Sequence, residues 1–89
     1  MDPIADALPP QEALELSLLA RLMYESREHR RMVLAAVGAT DEADLLTRIS
    51  SGEIAEHPAY EHYLAARILG DTQQAARHVM TEVLQEVNA

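Results

Sequence analysis

The 89 residues contain no cysteine, phenylalanine or tryptophan and only three glycines, and no uninterrupted apolar run approaches bilayer length. Without cysteine there are no disulfides, thiolate metal sites or cysteine nucleophiles. Without a spanning run, no membrane helix is expected. Aromatic residues are limited to Tyr24, Tyr60 and Tyr63, so the apolar half of the composition is almost entirely Leu, Ala, Val, Ile and Met. That mixture favours helices over sheets. Positive charge is also scarce: seven basic residues stand against fifteen acidic ones, for a net charge of −8. Affinity for a phosphate backbone rests on Lys and Arg displacing counterions, so nucleic acid is not an expected partner. The opening Met1-Asp2-Pro3-Ile4 has neither the basic segment nor the apolar core of a signal peptide, and a cytoplasmic location is expected.

What the chain does have is helical periodicity. Residues 1–9 are expected to be an N-terminal arm, and residues 10–89 one small helical domain. Pro9 and Pro10 suit a helix start, because a first-turn proline lacks only an N–H with no helical partner. The pattern then runs to about Val37, where Gly38 can supply a left-handed closing residue. Thr40 and Asp41, with Asp44 placed as in a capping box, open a short second helix ending at Gly52. Pro58 begins a third helix reaching Leu69, with Tyr60, Tyr63, Leu64 and Ile68 as its buried stripe. Gly70 is expected to terminate it and Asp71 to cap a fourth, amphipathic helix carrying Ala75, Ala76, Val79, Met80, Val83, Leu84 and Val87. The expected fold is all-α: a four-helix domain with one long N-terminal helix, two short helices and a C-terminal amphipathic helix.

The long first helix carries two apolar stripes. At 100° per residue, Leu14, Leu18, Leu22, Met32, Val33 and Ala36 share one sector with Glu25 and His29, and that sector reads as core-facing. Leu16, Leu19, Met23, Leu34 and Val37 form the second stripe and are the candidate partner-binding residues. A helix from Pro10 to Val37 would be roughly 40 Å long, against about 30 Å for the diameter of a compact chain of this size. The excess length and second stripe lead to the expectation of a small interaction module, an adaptor, regulatory or accessory subunit. It would be a homodimer through the long helix, serve a larger protein partner, or both.

Four titratable residues form the alternative site. Glu25 and His29 are spaced i, i+4, and His57 and Glu61 repeat that spacing. Were the two turns to face each other, two carboxylates and two imidazoles would suit a first-row divalent metal. The simpler reading is that Glu25 and His29 form a hydrogen-bonded pair that satisfies itself in a semi-buried position, or lie at the rim of a subunit contact. Di-iron bundles use Glu-x-x-His, and no histidine here has an acidic residue three positions before it. No cofactor is therefore expected on the main reading. If Glu25 and His29 are buried together, stability should vary with pH near neutrality through the imidazole.

Arg27, Arg30 and Arg31 make the densest basic cluster and are included as partner-binding candidates, able to receive a carboxylate or phosphate through their forked donors. The alternative is a solvated face with Glu28–Arg31 and Arg21–Glu25 pairs. There is no glycine-rich phosphate loop, nucleophile elbow or His-Glu-x-x-His, so no catalytic residue is assigned and an enzyme is not expected. The second and third helices resemble a helix-turn-helix in outline. Arg67 as the sole basic residue of its recognition helix is the wrong charge balance for DNA.

Overall fold

The computed structural model describes residues 9–88 and contains three helices: α1 (Pro10–Ala36), α2 (Glu42–Ser50) and α3 (Glu56–Asn88). The arm expected over residues 1–9 lies outside the described residues except for Pro9, which is the N-cap of α1. Among the described residues the fold is all-α, with three helices rather than four. Helices α1 and α3 form a long hairpin, and α2 folds against its closed end.

Both ends of α2 and the end of α1 follow the local chemistry of the sequence. Gly38 has φ +69°, and the N–H groups of Gly38 and Ala39 donate to the carbonyls of Ala35 and Leu34. Gly52, at φ +79°, repeats this arrangement: its N–H donates to Ile49 and that of Glu53 to Arg48. Each is a Schellman closure, which uses a left-handed residue to satisfy orphan carbonyls. At the start of α2, the Asp44 N–H donates to Asp41 Oδ1 at 2.7 Å. The reciprocal bond expected from a capping box is shifted by one residue, with the Thr40 N–H donating to Asp44 Oδ2 at 3.0 Å.

The third and fourth expected helices are one. After a non-helical His57 and a cis His57–Pro58 bond, α3 continues through Gly70 and Asp71 without a break. A side chain at position 70 would meet Arg30 Cδ and Nε at 3.7 Å and Glu42 Oε1 at 3.8 Å. Gly70 thus lies beneath an ion pair reaching over from α1 and α2, and Asp71 is a mid-helix residue.

The buried faces also differ from expectation. The core joins Leu34, Leu45, Ala59 and Ala66, with Val33, Val37, Ala39, Ile49, Ile54 and Tyr63 packed around it. On α3 the buried residues are Ala59, Ala66, Ala76 and Val83, while Tyr60, Leu64 and Ile68 of the expected stripe are exposed. Small side chains at a helix contact allow close approach, and the larger residues a turn away are left outside. On α1, Ser26 and Leu34 are buried, and Leu16, Leu19, Met23 and Val37 are half-buried. Leu14, Leu18, Leu22 and Met32 are exposed. Apart from Val33, which packs on the core, the stripe of α1 expected to face inward is exposed, and the stripe expected to face outward is buried or half-buried.

The result is a slab of 53 × 24 × 15 Å with a radius of gyration of 17.3 Å, against about 12 Å for a compact chain of this length. Among the described residues, Leu45 is the only large side chain that is fully buried. The slab's own core is small.

Candidate functional site

Two exposed apolar sectors meet on one broad face of the hairpin. On α1, Leu14, Leu18 and Met32 are about three-fifths exposed (61%, 58% and 63%), and Leu22 is 43% exposed. On α3, Leu64, Ile68, Ala75 and Val79 share a sector at 100° per residue, with Ile68 65% exposed. Leu18, Leu19 and Val79, with Glu15, line one shallow hollow of about 340 Å³, so the two sectors adjoin across the helix junction. Single exposed leucines are ordinary on a protein surface; several in one sector are not, although Glu25 and His29 divide the sector of α1 between Leu22 and Met32.

Of the partner-binding candidates, Leu34 is buried within the core, and Val37 packs against that core. Leu16, Leu19 and Met23 are half-buried. The stripe expected to face a partner is thus largely committed inside its own chain. The reason is that α3 lies against that side of α1, a choice between two equally apolar stripes that only the partner helix makes. The arginine cluster is similarly divided. Arg30 donates from Nε and Nη2 to Glu42 at 2.5 and 2.6 Å, a two-pronged ion pair linking α1 to α2. Arg31 donates to Glu28 at 2.7 and 3.2 Å on the surface of α1. Arg27 has its guanidinium 5.9 Å from the centre of the Tyr24 ring, and its nearest approach to Glu28 is 3.8 Å.

The four candidate metal ligands do not converge. Among the described residues, no group of three or more His, Asp or Glu is placed to hold a metal ion. Glu25 accepts from Arg21 Nε at 2.8 Å rather than pairing with His29, and His29 is exposed. His57 Nδ1 meets Glu61 at 2.7 Å in an exposed i, i+4 pair. The contact between Arg30 and Gly70 fixes the antiparallel register, which sets His29 opposite the middle of α3. His57 lies about a dozen residues away, or roughly 20 Å along the axis. The facing turns needed for a shared metal are therefore not formed. Nor are Glu25 and His29 buried together, which removes the basis for a neutral-pH dependence through that pair.

Electrostatics follow these contacts. The hydrogen bond from Arg21 holds the Glu25 carboxyl below the usual range. Glu61 is lowered first by its own backbone N–H and then by His57. Glu42 is lowered by the hydrogen bonds from Arg30, opposed by partial burial. The Thr40 backbone N–H does the same for Asp44, assisted by Arg48.

A second hollow, of about 330 Å³, lies between α1 and α3 and is lined by Ala20, Met23, Tyr24, Arg27, Gln73, Arg77 and Met80. Arg27 is nine residues from Leu18, about 180° around α1, and Arg77 lies about 200° around α3 from Val79. This hollow therefore opens on the opposite broad face from the apolar one. Arg27 and Met23 are among the partner-binding candidates of the sequence; Met80 stands there only on an apolar helix face, and Arg77 and Gln73 carry no local signal. No local spacing relates residues so far apart, and the hairpin alone brings them together.

No helix among the described residues is long and apolar enough to cross a membrane. The family model described as "Uncharacterized protein MJ0235 family" matches residues 10–88, nearly the whole of the chain, which therefore belongs to that family. No curated protein and no solved structure matches the chain.

Proposed function

We propose that this member of the MJ0235 family is a non-catalytic helical interaction module of the cytoplasm whose working form is a homodimer. Its apolar face is built from Leu14, Leu18, Leu22 and Met32 of α1 with Ile68 and Val79 of α3. The observation that carries this reading is the exposure of those side chains along a slab only 15 Å thick, in two apolar stretches on either side of the charged turn of Glu25 and His29. Helical domains bury their apolar stripes between two packed layers, and a hairpin with one short helix at its end supplies little more than one. A second copy supplies the missing layer. A four-helix arrangement of two hairpins covers the same sectors on both chains by symmetry, because a twofold interface presents one patch to itself.

Size supports this occupant. The broad face measures 53 × 24 Å, enough for the roughly 800 Å² per partner that a stable interface requires. A dimer formed this way would act as an adaptor, regulatory or accessory subunit, its charged outer surface free for a larger protein partner.

Sedimentation equilibrium at micromolar concentration tests the reading. The wild-type chain is expected to sediment at twice the chain mass, and the double variant Leu18→Glu/Ile68→Glu at the monomer mass with its helical circular dichroism retained. A wild-type monomer up to about 100 μM, a concentration at which even weak specific pairs with Kd near 10 μM associate, would overturn it. So would a double variant that remains dimeric.

A further inference from the structure

We propose that the hollow between Arg27 and Arg77 is a binding site for a small organic monocarboxylate with an apolar tail. The chain carries fifteen acidic residues, and most of its seven arginines are taken up by them. Arg21, Arg30, Arg31 and Arg48 each have a carboxylate within 3.2 Å. Arg77 has no ion-pair partner within 4 Å among the described residues, and Arg27 has only Glu28 at 3.8 Å, too far for a hydrogen bond. Of the three arginines without a close carboxylate among the described residues, Arg27 and Arg77, one from each long helix, line this hollow, while Arg67 lines another beside Glu42 and Asp71.

The rest of the lining decides the ligand class. Ala20, Met23 and Met80 are apolar, Tyr24 offers a ring, and Gln73 adds an amide donor. Methionine adapts its shape to an apolar group, and an arginine held over a ring keeps its fork available at low entropic cost. The Arg27 guanidinium already lies 5.9 Å from the centre of the Tyr24 ring. A carboxylate between the two forks, with its tail over the methionines, satisfies both halves of the lining. Inorganic phosphate satisfies only one: it brings no apolar surface, and its second negative charge is repelled by a chain of net charge −8. A volume of about 330 Å³ is at the small end of ligand sites, which suits an acid of about ten heavy atoms. The site faces away from the proposed dimer contact and does not depend on it.

The test is a titration of the uniformly ¹⁵N-labelled full chain with 3-phenylpropionate, followed by amide chemical shifts. Saturable shifts are expected at Ala20, Met23, Tyr24, Gln73, Arg77 and Met80, with half-saturation near 1 mM from the binding efficiency of small ligands. Arg27→Gln and Arg77→Gln are each expected to weaken binding roughly tenfold or more, the effect of losing one charge-assisted hydrogen-bond partner. Arg77→Lys, which keeps the charge without the fork, is expected to fall between wild type and Arg77→Gln. Arg21→Gln serves as the control and should bind like wild type. Equal affinity for 3-phenylpropanol would overturn the carboxylate assignment, and equal affinity for inorganic phosphate would overturn the apolar-tail assignment. Absence of saturation, shifts centred elsewhere, or undiminished binding by both glutamine variants would overturn the site.

Discussion

Arg30 and Glu42 are the residues through which α2 is tied electrostatically to the hairpin. The contact is only partly shielded from water, so its worth is that of a partly screened pair rather than a buried one. Its pH dependence has a definite sign. The hydrogen bonds from Arg30 hold the Glu42 carboxyl below its ordinary value of 4.5, so the unfolded chain takes up the proton first as pH falls. The stabilisation is fully present above about pH 4.5 and is lost as pH drops through the lower folded value. Thermal midpoints followed from pH 6 to pH 3 are expected to fall, and Glu42→Gln should be less stable at pH 6 with a shallower acid decline. An identical decline in that variant would show that the pair does not contribute. Asp44, lowered mainly by the Thr40 backbone N–H, adds to the same acid limb and should persist in Glu42→Gln. His57 and Glu61, Arg21 and Glu25, and Glu28 and Arg31 are all local pairs whose spacing alone makes contact possible. They were legible from the sequence for that reason. Arg30 with Glu42, and Arg27 with Arg77, were not, because no residue spacing encodes which helices adjoin.

Three glycines carry the same punctuation in the sequence, yet only two act as stops. Gly38 and Gly52 adopt positive φ, which the closing hydrogen bonds of α1 and α2 require, and a non-glycine residue there would be strained. Gly70, followed by an aspartate able to cap, has the same local signature but remains within α3. Tertiary packing decided the matter, since one long α3 can follow α1 along the hairpin. A helical glycine costs about 0.5–1 kcal/mol relative to alanine, and a methyl group at position 70 would make ordinary contacts at 3.7–3.8 Å. Gly70→Ala is therefore expected to stabilise the chain by up to about 1 kcal/mol in urea unfolding. A loss of stability would mean that the ion pair above it cannot yield even slightly. The same limit explains the inverted stripes of α1. Leu14, Leu18 and Leu22 are as apolar as Leu16, Leu19 and Met23, and periodicity shows that both stripes exist without indicating which one α3 covers. On α3 itself, the large residues Tyr60, Leu64 and Ile68 give the stronger apolar pattern, but Ala59 and Ala66 occupy the contact because their small size allows close approach.

For the whole molecule, shape and charge pull association in opposite directions. The slab leaves its apolar face open, while each chain carries a net charge of −8, so two copies repel at long range. Salt shortens that repulsion, with a screening length of about 10 Å at 0.1 M and about 3 Å at 1 M, and leaves the apolar contact intact. Self-association is expected to tighten as NaCl rises from 20 mM to 500 mM; weakening over that range would point to ion pairs rather than apolar burial as the main attraction. The identity of the face is open to an even more direct measurement. In a sample mixed from isotope-labelled and unlabelled chains, an isotope-filtered NOESY records only contacts between different copies. Cross-peaks between chains are predicted among the methyl groups of Leu14, Leu18, Leu22, Ile68 and Val79. Their absence, or cross-peaks restricted to Met23 and Met80 on the other face, would contradict the account.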